Sequence, residues 1–295
     1  MNVLSINNIS KNYGKVTALR NVSFSVPRGS VFGILGPNGS GKTTLLGIIM
    51  DVLKATGGTY QLFDENPNNQ LRKRIGTLLE TPNFYHYLSA VQNLKITAGI
   101  KQRGENDIER VLEIVSLTNR KNSIFSTYSL GMKQRLAIAA ALLGDPEVLV
   151  LDEPTNGLDP VGIAEIRELI RLLASQGKTI IMASHMLDEV EKVCSHVAIL
   201  KYGELITFGN VDEIFINDDI VEVASSDIEQ LKDALKLMPG NLKVEIKGNI
   251  VQITFPVGTA NLENVNQFCF EKGIVLSQLQ IRKKSLESKF MELTN

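Results

Sequence analysis

The arrangement of apolar and polar residues predicts strands in the first part of the chain. Residues 22–26 (VSFSV) alternate strictly between apolar residues and serines, which is typical of a strand with one buried face. Residues 31–36 (VFGILG) are almost continuously apolar, as expected of a strand that is covered on both faces. After residue 42 the pattern becomes helical. We therefore expect an N-terminal antiparallel β part, followed by a buried strand and a helix.

Residues 82–145 have a different pattern, which predicts a mainly helical region. Ser89 and Gln92 have the spacing of a capping box at the head of an amphipathic segment. A long apolar helix follows Ser129 and stops at Gly144, where a glycine is a common helix terminator. The sequence therefore predicts a helical subdomain between two β-containing parts.

Strands and helices alternate after this region. Residues 147–151 (EVLVL) and 179–184 (TIIMAS) are predicted strands, and a hairpin is predicted around Tyr202 and Gly203. Asp159 has the position of an N-cap, directly before the proline that begins the intervening helix. Alternation of this kind implies a mainly parallel sheet, so the fold class expected here is α/β.

The pattern changes again beyond about residue 217. Residues 218–284 read as strand, helix, two strands, helix and strand, which is the βαββαβ order of ferredoxin-like domains. A last helix is predicted over 285–295. We therefore expect two domains, residues 1–217 and a smaller α+β accessory domain over 218–295.

Residues 36–44 (GPNGSGKTT) match the pattern G-x-x-x-x-G-K-[ST] between a predicted strand and a predicted helix. Glycines let consecutive N–H groups point at phosphate oxygens, while the lysine adds positive charge and the following threonine a hydroxyl for Mg²⁺. The alternative is a glycine-rich turn that only caps a helix. The predicted phosphate-binding residues are Gly36, Pro37, Asn38, Gly39, Ser40, Gly41, Lys42, Thr43 and Thr44.

Two acids end the predicted strand at 147–151. Asp152 and Glu153 are expected at the carboxyl end of that strand, where ligands bind in open α/β sheets. Asp152 suits a magnesium ion held through water, and Glu153 suits a group that orients or deprotonates an attacking water. The alternative is that the pair caps the next turn.

Ser129 stands before a helix that is otherwise apolar, in the segment YSLGMKQR at 128–135. Its hydroxyl can cap the helix by accepting hydrogen bonds from the first free amides. The other interpretation is that an anion docks on those amides.

These residues together resemble the ATP-binding subunit of an ATP-binding-cassette (ABC) transporter, over about residues 1–217. Residues 36–43 resemble the Walker A loop, 148–152 the Walker B strand and 156–159 the D-loop. The resemblance implies that Glu153 is the catalytic glutamate and that His185, after the next strand, contacts the γ-phosphate. It also implies that Tyr13 stacks on adenine, although a lone tyrosine in a hairpin is more often a packing residue.

The resemblance also answers the question about Ser129. In this family the signature helix points its N-terminus at the γ-phosphate bound by another subunit. The chain keeps Ser129 and Gly131 but has Tyr128, Leu130 and Met132 where the family usually has Leu, Gly and Gln. One phosphate loop and one signature per chain imply a dimer with two shared sites that bind ATP and Mg²⁺, with Ser129 and Gly131 contributing from the opposite subunit. The resemblance also makes the D-loop residue Asp159 a nucleotide-binding candidate.

Glu80 occupies the position of the family's Q-loop glutamine, where a carboxylate still reaches Mg²⁺ or water. The variant ETPNFYHYL at 80–88 resembles the bacitracin-export branch, whose membrane partners are of the ABC-2 type. Phe84, Tyr85 and Tyr87 either form part of a groove for that membrane subunit or pack within the helical subdomain.

The composition of the chain indicates which classes of partner and which cell compartment to expect. The chain has 31 Lys+Arg and 32 Asp+Glu, a net charge of −1, which argues against nucleic acid as the main partner. Two cysteines far apart, Cys194 and Cys269, read as reduced cytosolic thiols. We expect no signal peptide and no membrane span, so that a separate chain provides the spans and this subunit lies on the cytoplasmic face of the membrane.

The function expected is ATP hydrolysis that drives a membrane exporter through ATP-dependent dimerisation. Three alternatives are a cassette ATPase acting on ribosomes or DNA, the ATPase of an importer, and a catalytically silent nucleotide sensor. Proteins of the first kind usually have two cassettes in one chain or a long coiled coil, and neither is found in this sequence. A catalytically silent sensor is disfavoured, because the residues expected to bind and hydrolyse ATP are all present: Lys42, Asp152, Glu153 and His185.

Overall fold

A computed structural model describes residues 1–79, 83–214 and 219–283 of the 295-residue chain. The chain divides into two compact units, Met1–Ile214 and Phe215–Asn295. The division falls close to the boundary expected at residue 217, and the assignment of the units as functional domains stays a prediction.

The first unit is built from strands and helices in alternation. Its strands are β1 (Asn2–Tyr13), β2 (Val16–Pro27), β3 (Val31–Leu35), β4 (Gly57–Leu62), β5 (Ile75–Leu78), β6 (Val148–Asp152), β7 (Thr179–Ser184), β8 (His196–Lys201) and β9 (Glu204–Asn210). Its helices are α1 (Lys42–Ile49), α2 (Asn69–Arg72), α3 (Ala90–Lys101), α4 (Ile108–Ile114), α5 (Leu130–Leu142), α6 (Pro160–Ser175), α7 (Leu187–Val193) and α8 (Val211–Ile214).

A six-stranded sheet of order β5-β6-β7-β3-β8-β9 forms the centre of this unit. Strands β5 to β8 of this sheet pair in parallel, and β9 returns antiparallel to β8. All residues of β3, β6 and β7 are buried, which explains their continuous apolar runs. The mainly parallel sheet expected from the sequence is confirmed.

The N-terminal antiparallel part is a second sheet of order β2-β1-β4. In β2, Val22, Phe24 and Val26 face the core as expected, and the serines between them are only half-buried. Phe24 stacks on Phe32 of β3 with ring centroids 5.3 Å apart, so the two sheets share one core.

The register of three neighbouring strands decides where the site lies. Asp152 at the end of β6 pairs with Ala183 of β7, and Ser184 at the end of β7 pairs with Leu35 of β3. The carboxyl ends of β6, β7 and β3 therefore meet at one edge of the sheet. Ligands of open α/β sheets bind at this kind of edge.

Helices α3, α4 and α5 occupy the region that the sequence assigns to a helical subdomain. The capping box is confirmed: the Ser89 hydroxyl accepts from the Gln92 N–H, and the Gln92 side chain accepts from the Ser89 N–H. Ser129 is the N-cap of α5. The predicted Q-loop residue Glu80 lies outside the described residues.

Asn93 of α3 holds the start of this region in place. Its side chain is 1% exposed, accepts a hydrogen bond from the Tyr85 N–H at 2.8 Å and donates to the Tyr85 and Ser89 carbonyls at 3.1 and 3.0 Å. A buried backbone group that loses its partner costs about 1–3 kcal/mol.

We expect Asn93→Leu to lower the free energy of unfolding by about 2–3 kcal/mol, since leucine has similar volume but leaves several backbone groups without partners. Urea unfolding followed by circular dichroism measures this loss. Asn122→Leu, at an exposed position of the same region, is the control and is expected to change stability by less than about 0.5 kcal/mol. Equal losses in the two variants would contradict the assignment.

The second unit has the βαββαβ order expected of a ferredoxin-like domain. Its elements are β10 (Asp219–Ser225), α9 (Ile228–Lys236), β11 (Lys243–Lys247), β12 (Ile250–Phe255), α10 (Leu262–Glu271) and β13 (Leu276–Lys283). The strands form an antiparallel sheet of order β11-β12-β10-β13. The helix predicted over 285–295 lies outside the described residues.

One face of this second sheet is apolar and one is polar. Val221 and Val223 of β10 belong to its buried core. Glu222, between them, accepts hydrogen bonds from Gln252, Gln280 and Arg282. The bond from Arg282 is the main reason that the pKa of Glu222 lies below its usual value. Among the described residues of both units, no helix has the length and apolarity needed to cross a membrane.

Candidate functional site

The predicted phosphate loop connects the end of β3 with the start of α1. Helix α1 begins after Gly41, which has a φ of 102° and no side chain to cap the first amides. A Cβ added at Gly36 would lie 2.3 Å from the Leu200 carbonyl oxygen, and one at Gly41 would lie 2.7 Å from that of Ala18. The loop is therefore a cradle that only glycine permits at these two positions.

Lys42 lies inside this cradle. Its side chain is 5% exposed, and its ammonium group donates to the carbonyls of Gly36 at 2.8 Å and Pro37 at 3.3 Å. The third neighbour is the Glu153 carboxylate, with Nζ and Oε1 3.3 Å apart. A buried ammonium held among loop carbonyls and one carboxylate is placed to meet an anion in the loop.

Glu153 and His185 extend from the ends of β6 and β7. Their Oε2 and Nδ1 atoms are 2.8 Å apart, and since a carboxylate only accepts, Nδ1 carries the hydrogen in this contact. Glu153 has a φ of 47°, and its N–H donates to the Ala183 carbonyl at 3.0 Å. A left-handed backbone at a residue with a Cβ is strained, and such strain clusters at functional sites.

Glu153 contacts both Lys42 and His185, so three charged or ionisable side chains are connected through its carboxylate. The carboxylate of Glu153 has one oxygen toward each of the other two side chains. Negative phosphate oxygens compete with this carboxylate for the Lys42 ammonium. A phosphate-bearing ligand therefore frees Glu153 for another task, such as accepting a proton from water.

A cavity of about 230 Å³ lies over the loop. The described residues that line it are Ala18, Asn38, Gly39, Gly41, Lys42, Thr43, Thr44 and Glu153. Tyr13 is at the end of β1, with its side chain 46% exposed and the Lys11 ammonium 4.9 Å from its ring centroid. Its role in stacking on adenine stays a prediction.

The oxygen donors beside the loop fit a magnesium ion. Thr43 and Asp152 offer a hydroxyl and a carboxylate, and Mg²⁺ usually takes one or two such protein ligands with phosphate and water for the rest. Among the described residues no group of three or more acidic, histidine or cysteine side chains forms a ready metal site. These two donors therefore suit a magnesium ion that takes its remaining ligands from phosphate and water.

Ser129, Gly131 and Asp159 line a different cleft of about 450 Å³, formed by the start of α5 and the segment before α6. The Ser129 hydroxyl accepts from the Met132 N–H at 3.3 Å, and the Asp159 carboxylate accepts from the Gly162 N–H at 2.8 Å. Both residues are thus N-caps, as expected. Among the described residues the cavity over the phosphate loop and this cleft have no lining residue in common.

The residues peculiar to this signature segment have definite positions. Leu130 is 51% exposed, and its Cδ2 would be 3.3 Å from a Cβ at Gly157 of the predicted D-loop. Tyr128 is buried and donates to the Arg120 carbonyl at 2.6 Å. Burial raises the pKa of Tyr128, with the nearby Arg120 opposing the shift.

The aromatic residues after the Q-loop position divide between the two interpretations. Phe84 packs edge-on against Phe125 with ring centroids 5.2 Å apart, so this side chain packs within the helical region. Tyr85 and Tyr87 are 51% and 72% exposed and contact each other, with ring centroids 5.9 Å apart. These two remain candidates for a surface that a partner covers.

Comparison with known proteins places the chain in a family. Residues 19–156 match the family model described as ABC transporter. The bacitracin transport ATP-binding protein BcrA of Enterococcus faecalis is 34% identical over 305 aligned residues, which cover 99% of this chain and 96% of that protein. The chain belongs to the ATP-binding proteins of ABC transporters.

Two further relatives bear on the site and its assembly. The lantibiotic transport ATP-binding protein SrtF of Streptococcus pyogenes is 38% identical over 226 residues, 75% of this chain and 99% of that protein. A solved dimeric structure of an ATP-binding cassette in a post-hydrolysis state, bound to ADP and Pi, has a TM-score of 0.62 and 28% identity. The alignment with that structure covers 70% of this chain and 98% of the solved chain.

Membership of this family confirms the fold class and the activity expected from the sequence. The protein is an ATPase that binds nucleotide and hydrolyses ATP to power transport. It works with a transmembrane partner, and cassettes of this family act as dimers. The role of each individual site residue is a proposal.

Two residues at the site are not predicted by any pattern in the sequence. Ala18 lines the cavity over the phosphate loop, and nothing in its identity as a small residue of β2 marked it. Gly203 was expected only as a hairpin turn, but its N–H donates to the Ser40 carbonyl of the loop at 3.1 Å. The signal for both lies in the pairing of distant strands, which one sequence does not reveal.

Proposed function

We propose that this protein is the ATP-hydrolysing subunit of an exporter and that it acts at the cytoplasmic face of the membrane. The observation that carries the proposal is the contact of Glu153 with both Lys42 and His185 at the glycine cradle. Export is supported by the relatives named for bacitracin and lantibiotic transport, which match over most of the chain. The cargo of this chain is a compound handled by its membrane partner.

In this proposal residues 36–44 hold the phosphates of ATP. The loop amides and the Lys42 ammonium bind phosphate oxygens, and Tyr13 stacks on the adenine ring. Thr43 and Asp152, with Glu80 at the Q-loop position, hold Mg²⁺ directly or through water. When bound, the metal supplies positive charge that neutralises the β- and γ-phosphate oxygens.

Phosphate oxygens first displace the Glu153 carboxylate from Lys42. Glu153 then orients the attacking water and accepts a proton from that water. His185 stays hydrogen-bonded to Glu153 through Nδ1–H. As an imidazolium it also has an Nε2–H, which donates to a γ-phosphate oxygen. The proposal is supported by the 2.8 Å contact between the two side chains, which orients the imidazole ring before ATP arrives.

Two copies of this chain are proposed to share each nucleotide. This proposal is supported by the cleft that Ser129, Gly131 and Asp159 line, which among the described residues shares no lining residue with the cavity over the phosphate loop. The start of α5 carries partial positive charge, which favours a γ-phosphate presented by the other copy. The dimeric cassette with ADP and Pi supports this arrangement by similarity.

The proposed membrane partner is an ABC-2-type permease that contacts the exposed Tyr85 and Tyr87. Closing and opening of the ATP-bound dimer drives that permease between inward and outward states. Residues 1–217 serve as the ATP-binding domain, and residues 218–295 as an accessory domain that supports or regulates the dimer.

The test is co-expression with a candidate permease, chosen from the reading frames adjacent to the gene of this chain that encode several hydrophobic spans. We expect the two to purify together in detergent and to show ATP hydrolysis that the Lys42→Ala variant lacks. Cells making both are expected to tolerate several-fold more bacitracin, used as a probe for peptide antibiotics, than cells making the Lys42→Ala pair. Co-purification with ribosomes or DNA instead of a membrane protein would contradict the proposal.

A further inference from the structure

The turn between β8 and β9 has left-handed backbone at both of its residues. Tyr202 has a φ of 50° and Gly203 a φ of 81°, and Lys201 pairs with Glu204 across the turn. Positive φ at both central residues is typical of the type I′ hairpin turn, whose twist matches that of the strands. This backbone geometry explains why residue 203 is glycine, but it does not explain what the glycine contacts.

Gly203 joins the phosphate loop to β2 through its backbone. Its N–H donates to the Ser40 carbonyl at 3.1 Å, and its own carbonyl accepts from the Arg20 N–H at 2.8 Å. The start of the loop lies against the same hairpin, because a Cβ at Gly36 would be 2.3 Å from the Leu200 carbonyl oxygen. The β8–β9 hairpin is thus the support on which the loop lies.

The contacts leave no space for a side chain at residue 203. A Cβ there would lie 2.6 Å from the Ala18 carbonyl oxygen and 2.9 Å from its carbon. The same oxygen would be 2.7 Å from a Cβ at Gly41. The carbonyl of Ala18 is therefore held between two glycines, one in the hairpin and one in the phosphate loop.

Ala18 lies on β2, which pairs with the strand β1 that ends at the other end of the nucleotide site. Tyr13, the predicted adenine-stacking residue, pairs with Val16 at the turn between β1 and β2. A shift of β2 at Ala18 therefore moves the Tyr13 turn relative to the phosphate loop. The Arg20–Glu204 ion pair also joins β2 to β9, but both side chains are more than half exposed, and such pairs contribute little.

We propose that Gly203 is a positioning residue that sets the separation between the base-binding turn and the phosphate loop. A nucleoside triphosphate must contact both ends at once, whereas an inorganic polyphosphate contacts only the loop. Displacement of one end by about 1 Å costs far more for the first ligand than for the second. The inference rests on the proposed function, which assigns Tyr13 to the adenine ring.

The experiment measures equilibrium binding of Mg-ATP and of magnesium tripolyphosphate to the full chain by calorimetry. Gly203→Ala is expected to weaken ATP binding about tenfold or more and to leave tripolyphosphate binding within about twofold. Gly177→Ala is the matched control: its φ is 85°, but a Cβ there would have no neighbour within 4 Å. It has the same backbone strain and is expected to leave both affinities unchanged.

A double-mutant cycle with Tyr13→Ala tests the link between the two ends. Tyr13→Ala in the parent chain is expected to weaken ATP binding about tenfold, because the adenine ring loses its aromatic stacking partner. In the Gly203→Ala background the same change is expected to cost much less, since the stacking geometry is already lost.

The outcomes separate this inference from the proposed function. Equal losses for ATP and tripolyphosphate in Gly203→Ala, with Tyr13→Ala still costly in the parent chain, would overturn the positioning role alone. No loss for Tyr13→Ala in the parent chain would contradict the base-stacking role, and the inference would fall with it.

A second variant covers the case in which Gly203→Ala does not fold. Asparagine adopts left-handed backbone at lower cost than alanine and still places a Cβ against the Ala18 carbonyl. Gly203→Asn is therefore expected to fold and to show the same selective loss of ATP affinity. A folded Gly203→Asn variant with the parent affinity for ATP would overturn the proposal.

Discussion

Replacing Glu153 by glutamine is expected to reduce ATP hydrolysis by about 100-fold or more while leaving ATP bound. Glutamine keeps the shape of the side chain but cannot take a proton from water, and a positioned general base contributes about 10²–10⁴-fold. The same change removes the anion that lies 3.3 Å from the Lys42 ammonium. Phosphate then meets no competing carboxylate, so the affinity for ATP is expected to rise.

Phosphate release at saturating Mg-ATP measures the first effect, and equilibrium binding of ATP measures the second. Glu191→Gln, an exposed carboxylate on α7, is the control and is expected to behave as the parent chain. A Glu153→Gln variant that keeps more than a tenth of the parent rate would show that another group accepts the proton.

Replacing Ser129 by arginine is expected to abolish ATP-dependent dimerisation while the monomer still binds ATP. The γ-phosphate bound by the other copy is proposed to dock at the start of α5. The serine hydroxyl and a glycine without a side chain allow close approach there. A long arginine side chain fills this space. Light scattering with a non-cleavable ATP analogue measures the mass, and fluorescence titration measures nucleotide binding.

Loss of an N-cap alone costs about 1 kcal/mol, so the control must lose a cap as well. Ser89→Arg removes the cap of α3, where no nucleotide is proposed to bind. We expect the Ser89 variant to dimerise as the parent chain does. Dimerisation of the Ser129 variant at the parent concentration of analogue would refute a shared site.

Local patterns in the sequence were sufficient for most elements of the fold. The continuous apolar runs of β3, β6 and β7 predicted buried parallel strands, because a strand covered on both faces has no solvent-exposed positions for polar residues. The caps at Ser89, Ser129 and Asp159 were predictable because capping depends on residues within one turn.

The phosphate loop was predictable for the same reason. Its glycines, Lys42 and Thr43 are contiguous, so their relation to the following helix is nearly a local property of the chain. The family resemblance assigned roles to Glu153 and His185, but the sequence contains no measure of their distance from Lys42. That distance depends on the strand order β6-β7-β3, which is set by how crossovers pack on the sheet.

By itself the sequence determined most of the strands and helices, the caps and the phosphate loop of this protein, because each depends on neighbouring residues. Only the tertiary structure decided that Glu153 contacts both Lys42 and His185, and that Gly203 bonds to Ser40. It also decided that Ser129 and Asp159 line one cleft. These contacts join residues far apart in the chain, and they form only when sheet order and helix packing bring those segments together.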